Sequence, residues 1–398
     1  MFLKLKKINE IFSEELLNFE KIFKVDLWIF KNEKKVSKSL IELVKLFLRA
    51  IYNSIFTYPL IISTKSKNQS IFYIRALVRP DLDKHSQYYE NLDDTTVCLV
   101  SKRTKKIDIT KFLLCIFFII KLRRAWLKEL NNEGVNFFSI SGLEIFINFF
   151  SALSDVLKVL PLLLKHTKLV SFQEMLMVEN LICQIANIFN MKTFALQHAL
   201  GSYKEKGSFG SRYAICHYLN SVCKNILCWG DYNKLIFEKH TNAKIDIVGK
   251  SSLPDKEIFL EGVTLIFENI EFYKANQKMF SFYSNLIDIG VPVSRWFKPQ
   301  NVLVENTSVR DGPLRKIVIG CNSSMLVELG FLGGYVFVVQ GSNIENRLPN
   351  NLILEDINLN FMKDDLLKNY PNHIWKEFIE CTGRDSVVRY QDIVMNDL

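Results

Sequence analysis

From residue 168 onward, short apolar runs rich in β-branched residues alternate with longer amphipathic segments. The helical segments between them are 174–189 and 231–240. Strands that alternate with helices of this length predict a parallel sheet with helices on its faces. The strand-like runs are KLVSF (168–172), KTFALQ (192–197), NILCWG (225–230) and KIDIVG (244–249).

A second series of the same kind begins near residue 245. Two successive series of similar size predict an α/β protein with two Rossmann-like lobes that face a cleft. The turn residues of SSLPDKE lie within a soft boundary near 240–255, and we divide the chain into residues 1–244 and 245–398. The strand-like runs of the second series are VTLIF (263–267), VPVSRWF (291–297), KIVIG (316–320) and YVFVV (335–339).

The first third of the chain is predicted to be mostly helical. Apolar residues recur with a period near 3.6 over residues 1–68, with Lys and Glu on the opposite face. Two strand-like runs follow, IFYIRAL (71–77) and VCLVS (97–101), and then helical segments at 110–130 and 142–165. We therefore expect extra N-terminal helices on the first lobe.

The segment FLLCIFFII (112–120) is the most apolar in the chain, and it lies between the basic runs KRTKK and KLRR. It is far shorter than the roughly 20 residues that span a bilayer. Two interpretations remain: a buried core helix, or a helix that docks on a membrane surface. The similar helix predicted at 41–56 favours docking slightly.

The formal net charge is +9, and much of the basic excess lies in the first 130 residues. Such an excess suits an anionic membrane surface, a phosphorylated substrate or nucleic acid, and solvated surface runs give the same composition. The basic residues are diffuse, and no RRM, KH, zinc-finger or helix-turn-helix pattern occurs. We therefore expect no nucleic-acid partner.

The eight cysteines show no CxxC spacing and no paired Cys/His spacing, so we expect no zinc site. The first 21 residues are charged throughout and lack the apolar core of a signal peptide. Both observations predict a cytoplasmic protein in a reducing compartment. If the two helices dock on a membrane, we expect the protein to lie peripherally at the inner face of the plasma membrane.

The stretch GCNSSMLVELG (320–330) predicts a strand that ends at Gly320 and a helix that begins with Asn322, Ser323 and Ser324. Small polar residues at a helix start leave backbone N–H groups free to hold phosphate oxygens. Glu328 follows one turn later on the same helix face as Ser324. The alternative is an ordinary helix cap with a surface glutamate.

The stretch FALQHALGS (194–202) places His198 where a predicted strand ends and a small-residue loop begins. Open α/β sheets bind their ligands at the carboxyl ends of the strands. His198 is therefore a candidate for catalysis, with a structural histidine as the alternative.

Two further stretches complete a pattern. WFKPQ (296–300), preceded by Arg295, brings two cations close to a strand end. ILCWGDYNKLIFEKHTNAKIDIVGKS reads as a strand ending in Trp-Gly, a helix, and a strand ending in Val-Gly-Lys-Ser. Together with FALQHALGS and GCNSS, these stretches resemble bacterial GT-B glycosyltransferases of capsule and O-antigen polysaccharide synthesis. They also look like the related polyol-phosphate transferases of teichoic-acid type.

The resemblance covers roughly residues 170–340 and departs from the pattern at two places. The His-Pro of that group is Lys298-Pro299 here, and the glycine after its Gln-His is Ala199. Any role of that histidine therefore falls to Lys298 or is lost.

The resemblance implies a metal-independent, inverting transferase without a cofactor. Its N-terminal lobe binds a glycan or lipid-linked acceptor, and its C-terminal lobe binds a nucleotide-sugar donor. His198 is the implied base, because an imidazole is suited to accept the proton of an acceptor hydroxyl at neutral pH. Glu174, just after the strand KLVSF, is the rival base.

The donor site implied by the resemblance lies in the second lobe. Preorganised donors stabilise the charge that develops on a departing nucleotide phosphate. Glu328 would hold a ribose hydroxyl. The donors to the phosphates would be Arg295, Lys298, Asn322 and the N–H groups at Ser323 and Ser324.

Two other functions stay open from the sequence. One is the transfer of a polyol phosphate or sugar phosphate from a CDP-linked donor. The other is a non-catalytic, membrane-docked interaction protein with a GT-B-like body, which the missing His-Pro would fit.

Overall fold

The computed structural model describes most of the chain in segments separated by gaps. The described residues are 12, 16–23, 39–63, 71–75, 88, 95–172, 176–197, 221–251, 259–267, 273–297, 310–321, 324–340, 348–355, 367–368 and 370–396.

The first lobe is built on a seven-stranded sheet. Its strands follow the order β1-β3-β2-β4-β5-β6-β7; β1 pairs with β3 antiparallel, and the other neighbours pair in parallel. In chain order the elements are α1 (Leu40–Phe56), β1 (Thr57–Ser63), β2 (Ile71–Arg75), β3 (Thr95–Lys105), α2 (Ile109–Lys121), α3 (Arg123–Asn132), α4 (Ile140–Leu163), β4 (Lys168–Ser171), α5 (Met177–Ile188), β5 (Lys192–Leu196), β6 (Asn225–Cys228), α6 (Asp231–His240) and β7 (Lys244–Ile247).

The second lobe is built on a six-stranded sheet. Its order is β10-β9-β8-β11-β12-β13, with β10 antiparallel to β9 and the other neighbours parallel. The elements are β8 (Leu260–Phe267), α7 (Tyr273–Asp288), β9 (Val293–Phe297), β10 (Arg310–Asp311), β11 (Arg315–Gly320), α8 (Ser324–Phe331), β12 (Tyr335–Val339), β13 (Ile353–Leu354) and α9 (Gly383–Asn396), with 3-10 helices at Asn350–Leu352 and Asn372–Glu377.

Both faces of the first sheet are buried. Successive side chains of a strand point to opposite faces, so each strand contributes side chains to two cores. In β2, Phe72 and Ile74 join the core under α4 and α5. Ile71 and Tyr73 join the opposite core, together with Val387 and Val394 of α9. The last helix of the chain therefore returns to the first lobe.

The ammonium group of Lys168, at the start of β4, fixes the end of α9. It donates hydrogen bonds to the carbonyls of Val394 (2.6 Å) and Met395 (2.9 Å). A lysine suits this place, since the last carbonyls of a helix lack partners within the helix and carry its negative dipole end.

Helix α4 is the central core helix of the first lobe. In the part of the chain that the structure describes, it alone is long and apolar enough to cross a membrane, and 72 % of its most apolar stretch is buried. It packs against α1, α2 and α5. Asp155 binds the guanidinium of Arg103 on β3 through both oxygens, and Lys158 donates to the carbonyls of Asn53 and Thr57 at 2.7 Å each. Because it is mostly buried within the protein, α4 is a core helix.

The predicted fold class, α/β with two GT-B-like, Rossmann-like lobes and extra N-terminal helices, is confirmed by the two sheets and their crossover helices. The helical prediction for residues 1–68 is wrong at 57–63, which form β1. Pro59 cannot continue a helix, and the following Ile61 and Ile62 favour an extended chain.

The change from one sheet to the other comes later than residue 244. Strand β7 (Lys244–Ile247) pairs with β6 in the first sheet, and the second sheet begins with Leu260 of β8. A boundary between 244 and 245 therefore separates β7 from its own sheet. Helix α9, counted with residues 245–398, packs on the first sheet.

Candidate functional site

A group of four side chains, which we call the junction, joins the carboxyl end of the first sheet to helix α8 of the second lobe: Gln197, Trp229, Lys250 and Glu328. Gln197 follows β5, and its Oε1 accepts a hydrogen bond of 2.7 Å from the backbone N–H of Trp229, which follows β6. The Lys250 ammonium lies 4.8 Å from the centre of the Trp229 indole. It also forms a salt bridge with Glu328 on α8 of the second lobe.

A glycine turn brings Lys250 to this place. Gly249 has φ +79°, and a Cβ there would lie 2.2 Å from the carbonyl oxygen of Cys381. Only glycine combines this left-handed backbone with such a close approach. The N–H of Lys250 then donates to the same Cys381 carbonyl at 2.9 Å. The end of β7 is thus held against the segment that leads into α9.

The phenol of Tyr88 holds the same turn from the first lobe. Its oxygen accepts from the N–H of Ser251 at 2.8 Å and lies 3.2 Å from the carbonyl of Gly249 and 3.0 Å from the hydroxyl of Ser386. Burial raises the pKa of Tyr88 above its usual value of 10, so the phenol stays neutral and keeps its proton for donation.

Lys250 and Glu328 are both buried, at 7 % and 8 % exposed. An ammonium has three N–H donors and a carboxylate about four acceptor positions, so each group can bind a ligand in addition to its partner. The junction therefore offers a cation for phosphate and an acceptor for hydroxyl groups, whereas the Trp229 indole is 2 % exposed and belongs to the core.

The structure brings the predicted Glu328 to the junction. It lies in the second turn of α8, which begins at the carboxyl end of β11, and its carboxylate faces the first lobe through Lys250. Sequence reasoning placed it on the face of Ser324, the first residue of α8. A surface glutamate is thereby excluded, and the ribose role stays a prediction.

The structure places Arg295 two residues before the end of β9, as in the predicted strand 291–297. Strand β10 pairs with β9 and sets Asp311 opposite Arg295. The guanidinium donates to the Asp311 carboxylate, with one contact at 3.0 Å, and lies 4.5 Å from the ring centre of Tyr283. Arg295 is thus engaged at the sheet edge, and its phosphate role stays untested.

The other predicted site residues lie outside the described residues: His198, Glu174, Lys298, Asn322 and Ser323. Their roles stay predictions.

Sequence reasoning assigned no role to Tyr88, Trp229 or Lys250. The signal was present, since Trp229 lies at the end of one predicted strand and Lys250 follows another, both at the ligand-binding end of the sheet. Two more buried charges lie at strand or helix ends of the first lobe. Arg75 ends β2, and Glu179 lies in the first turn of α5.

A cavity of about 840 Å³ lies at the opposite edge of the first sheet. Its lining includes Lys21, Gln184, Lys224 and Thr241, and residues 221–224 and 241–243 precede β6 and β7. It is thus remote from the junction. Among the described residues, no group of three or more His, Cys, Asp or Glu side chains could hold a metal ion.

No protein-family model matches this sequence, and no curated protein sequence matches it. Two solved structures are similar at 10 % sequence identity and a TM-score of 0.41: a glycosyltransferase from Rickettsia africae ESF-5, and Anabaena Alr3699/HepE in complex with UDP. Each similarity covers 83 % of this chain and 100 % of the other chain. Neither is close enough to carry the function of those proteins over to this chain.

Proposed function

We propose that this protein is a glycosyltransferase that moves a sugar from a nucleotide-sugar donor to a surface polysaccharide or lipid-linked glycan. The junction is the observation that supports this proposal most. It joins helix α8 of the second lobe to the carboxyl end of the first sheet, the end at which open α/β sheets bind ligands. It also buries a cation and a carboxylate that can recognise phosphate and ribose.

The donor is assigned to the second lobe. Helix α8 begins at Ser324, shortly after the end of β11, so its first N–H groups and its positive dipole end suit a diphosphate. The sequence pattern adds Ser323 to this set. Glu328 accepts a ribose hydroxyl. Lys250, which forms a salt bridge with Glu328, supplies a cation for the phosphates. Lys298, Asn322 and Arg295 complete the donor set inferred from the sequence.

The acceptor is assigned to the first lobe. An acceptor hydroxyl oxygen attacks the anomeric carbon of the donor sugar, and its proton passes to His198, with Glu174 as the rival base. The bond between the anomeric carbon and the phosphate oxygen breaks, and the nucleotide leaves with that electron pair. Gln197 fixes the strand end before His198 through the backbone of Trp229.

The first experiment identifies the donor. The protein is heated with CMP, CDP, UDP, GDP and their sugars, and the unfolding midpoint is recorded. A ligand present at 100 times its Kd stabilises the folded state by about 2.7 kcal/mol. A shift with one nucleotide family supports the proposal, whereas no shift with any of them contradicts it.

The second experiment tests the base with that donor. His198→Ala is expected to lower kcat by roughly 10² to 10⁴ with donor affinity unchanged, which is the usual contribution of a positioned base. Glu174→Gln is the matched variant. Normal turnover in His198→Ala together with loss of turnover in Glu174→Gln would assign the role of the base to Glu174. Transfer of a polyol phosphate to the acceptor in place of a sugar, with release of CMP, would establish the CDP-linked alternative.

A further inference from the structure

Two helices of the first lobe expose a continuous apolar surface, which we call the apolar face. It is formed by one side of α1 and the outward side of α2, which pack against each other and against α4. The exposed side chains are Ile41, Val44, Leu48 and Tyr52 of α1 and Ile109, Leu113, Ile116, Phe117 and Ile120 of α2.

The face follows from helical periodicity. In α2 the buried residues Cys115, Phe118 and Ile119 lie on one side. The outward residues recur at three- and four-residue spacing on the other side, where a soluble helix ordinarily carries polar groups. In α1 the residues at 41, 44, 48 and 52 form a second apolar stripe on the side away from the buried Leu43, Ala50 and Ser54.

The two helices are held in place, so the face is a fixed surface. The N–H groups of Lys106 and Asp108, just before α2, donate to the carbonyls of Phe56 and Ile55 at the end of α1, both at 2.9 Å. The Tyr58 hydroxyl donates to the Asp108 carboxylate, which also caps the N–H of Lys111. Phe112 and Phe47 both contact Phe150 of the core helix α4.

Basic side chains surround the apolar face. Residues 39–56 and 101–132 contain eleven Lys and Arg against three Asp and Glu, a net +8 out of the formal +9 of the whole chain. Among those described as exposed are Lys45 and Arg49 along α1, Lys102, Lys105 and Lys106 before α2, and Arg123, Arg124 and Lys128 after it.

We propose that the apolar face docks on an anionic lipid surface, with α1 and α2 lying in the plane of the interface. An apolar helix side between cations is the pattern of interfacial helices, whose long basic side chains reach the headgroups. Helix α2, at 13 residues, is about 20 Å long and too short to span a bilayer. A second copy of this chain would bring two strongly basic surfaces together, which charge repulsion opposes.

This inference does not depend on the transfer reaction, and its test contains no nucleotide. The full chain is floated with phosphatidylcholine vesicles containing about one third phosphatidylglycerol, at about 0.05 M and 0.5 M salt. We expect binding at low salt, release at high salt, and weak binding to vesicles of phosphatidylcholine alone.

Two variants separate apolar from charged contacts. Leu113→Gln/Phe117→Gln/Ile120→Gln is expected to weaken binding by about tenfold or more. Arg123→Gln/Arg124→Gln is expected to weaken binding to anionic vesicles by about fivefold per cation. The matched control, Leu235→Gln/Ile287→Gln/Ile289→Gln, changes exposed apolar side chains on α6 and at the end of α7 and should bind like the wild type.

Thermal unfolding checks that the variants fold. If the triple variant does not fold, Phe117→Gln alone is used in its place. The proposal is overturned if the wild type fails to float at low salt, or if the α2 variants float as well as the control. It is also overturned if light scattering shows an oligomer that the α2 variants dissociate, because a second copy would then cover the face.

Discussion

The two lobes share a topology and differ in what is added to it. Each is a parallel sheet with one antiparallel edge strand, β1 in the first lobe and β10 in the second. The first sheet is covered on both faces and carries the helical layer α1 to α4 with its basic, apolar face. The second lobe supplies α8 and Glu328 to the junction.

This difference indicates a division of roles between the helical layer of the first lobe and the junction. Apolar burial in the first lobe stabilises the fold and places the apolar face, whereas the charges of the junction contribute little net stability. A buried ion pair often gives no more stability than apolar side chains of the same volume. Changes in the two regions should therefore separate stability from ligand binding.

The largest effect is expected in the helical layer. Leu153 in the middle of α4 is fully buried, so Leu153→Ala loses apolar contacts and leaves a cavity. We expect a loss of about 2 to 5 kcal/mol in the free energy of unfolding, measured with urea. The control Leu113→Ala removes the same atoms from an exposed site on α2 and should stay within about 0.5 kcal/mol. Equal losses would show that the apolar face is buried in solution.

A comparable effect is expected at the junction. Lys250→Met leaves the buried Glu328 carboxylate without its cation, which should cost about 3 to 5 kcal/mol in the free energy of unfolding. Lys250→Met/Glu328→Gln should recover most of that loss, because no unpaired charge remains. Lys244→Met is the control, since the ammonium of Lys244 is exposed and its salt bridge with Asp246 spans 3.3 Å. A loss in the control as large as in Lys250→Met would contradict the role of burial.

The smallest effect concerns His166, at the edge of the first sheet opposite the junction. Its Nδ1 donates to the Leu162 carbonyl, and its Nε2 accepts from the Thr96 hydroxyl, both at 2.9 Å. Burial lowers the pKa of His166 below 6.5, with a further decrease from nearby Lys165. As the pH falls below about 6.5, the unfolded chain takes up the proton first, so stability decreases.

His166→Gln keeps a donor and an acceptor without a titrating ring. Denaturant unfolding between about pH 7 and 5 should show a shallower decrease for this variant than for the wild type. Parallel curves would mean that His166 does not contribute to the acid sensitivity of the first lobe.

Much of the fold could be predicted because local patterns determine it. The runs 168–172, 192–197 and 335–339 are strands within one residue or so, since each is a short apolar run between helical periods. Strand β1 was missed because its apolar residues continue the pattern of α1 without a break. Only Pro59 marks the change.

The junction could be predicted only in part. Glu328 was identified because helix spacing places it near a strand end. Its partner Lys250 lies 78 positions away, and Tyr88 reaches the same turn from 161 positions away. No local pattern encodes such pairs. The ion pair of Arg295 with Asp311 was not predicted for the same reason, because the antiparallel pairing of β10 brings these residues together.

Binding of the donor nucleotide at the junction can be measured by calorimetry. The nucleoside diphosphate that shifts the unfolding midpoint is titrated into the wild type, Glu328→Gln and the control Leu113→Ala. We expect Glu328→Gln to bind it roughly 10- to 150-fold more weakly, the equivalent of about 1.5 to 3 kcal/mol for a hydrogen bond to a charged group, while the control is unchanged. Equal affinity in Glu328→Gln and the wild type, or no binding of any nucleotide, would contradict donor binding at the junction.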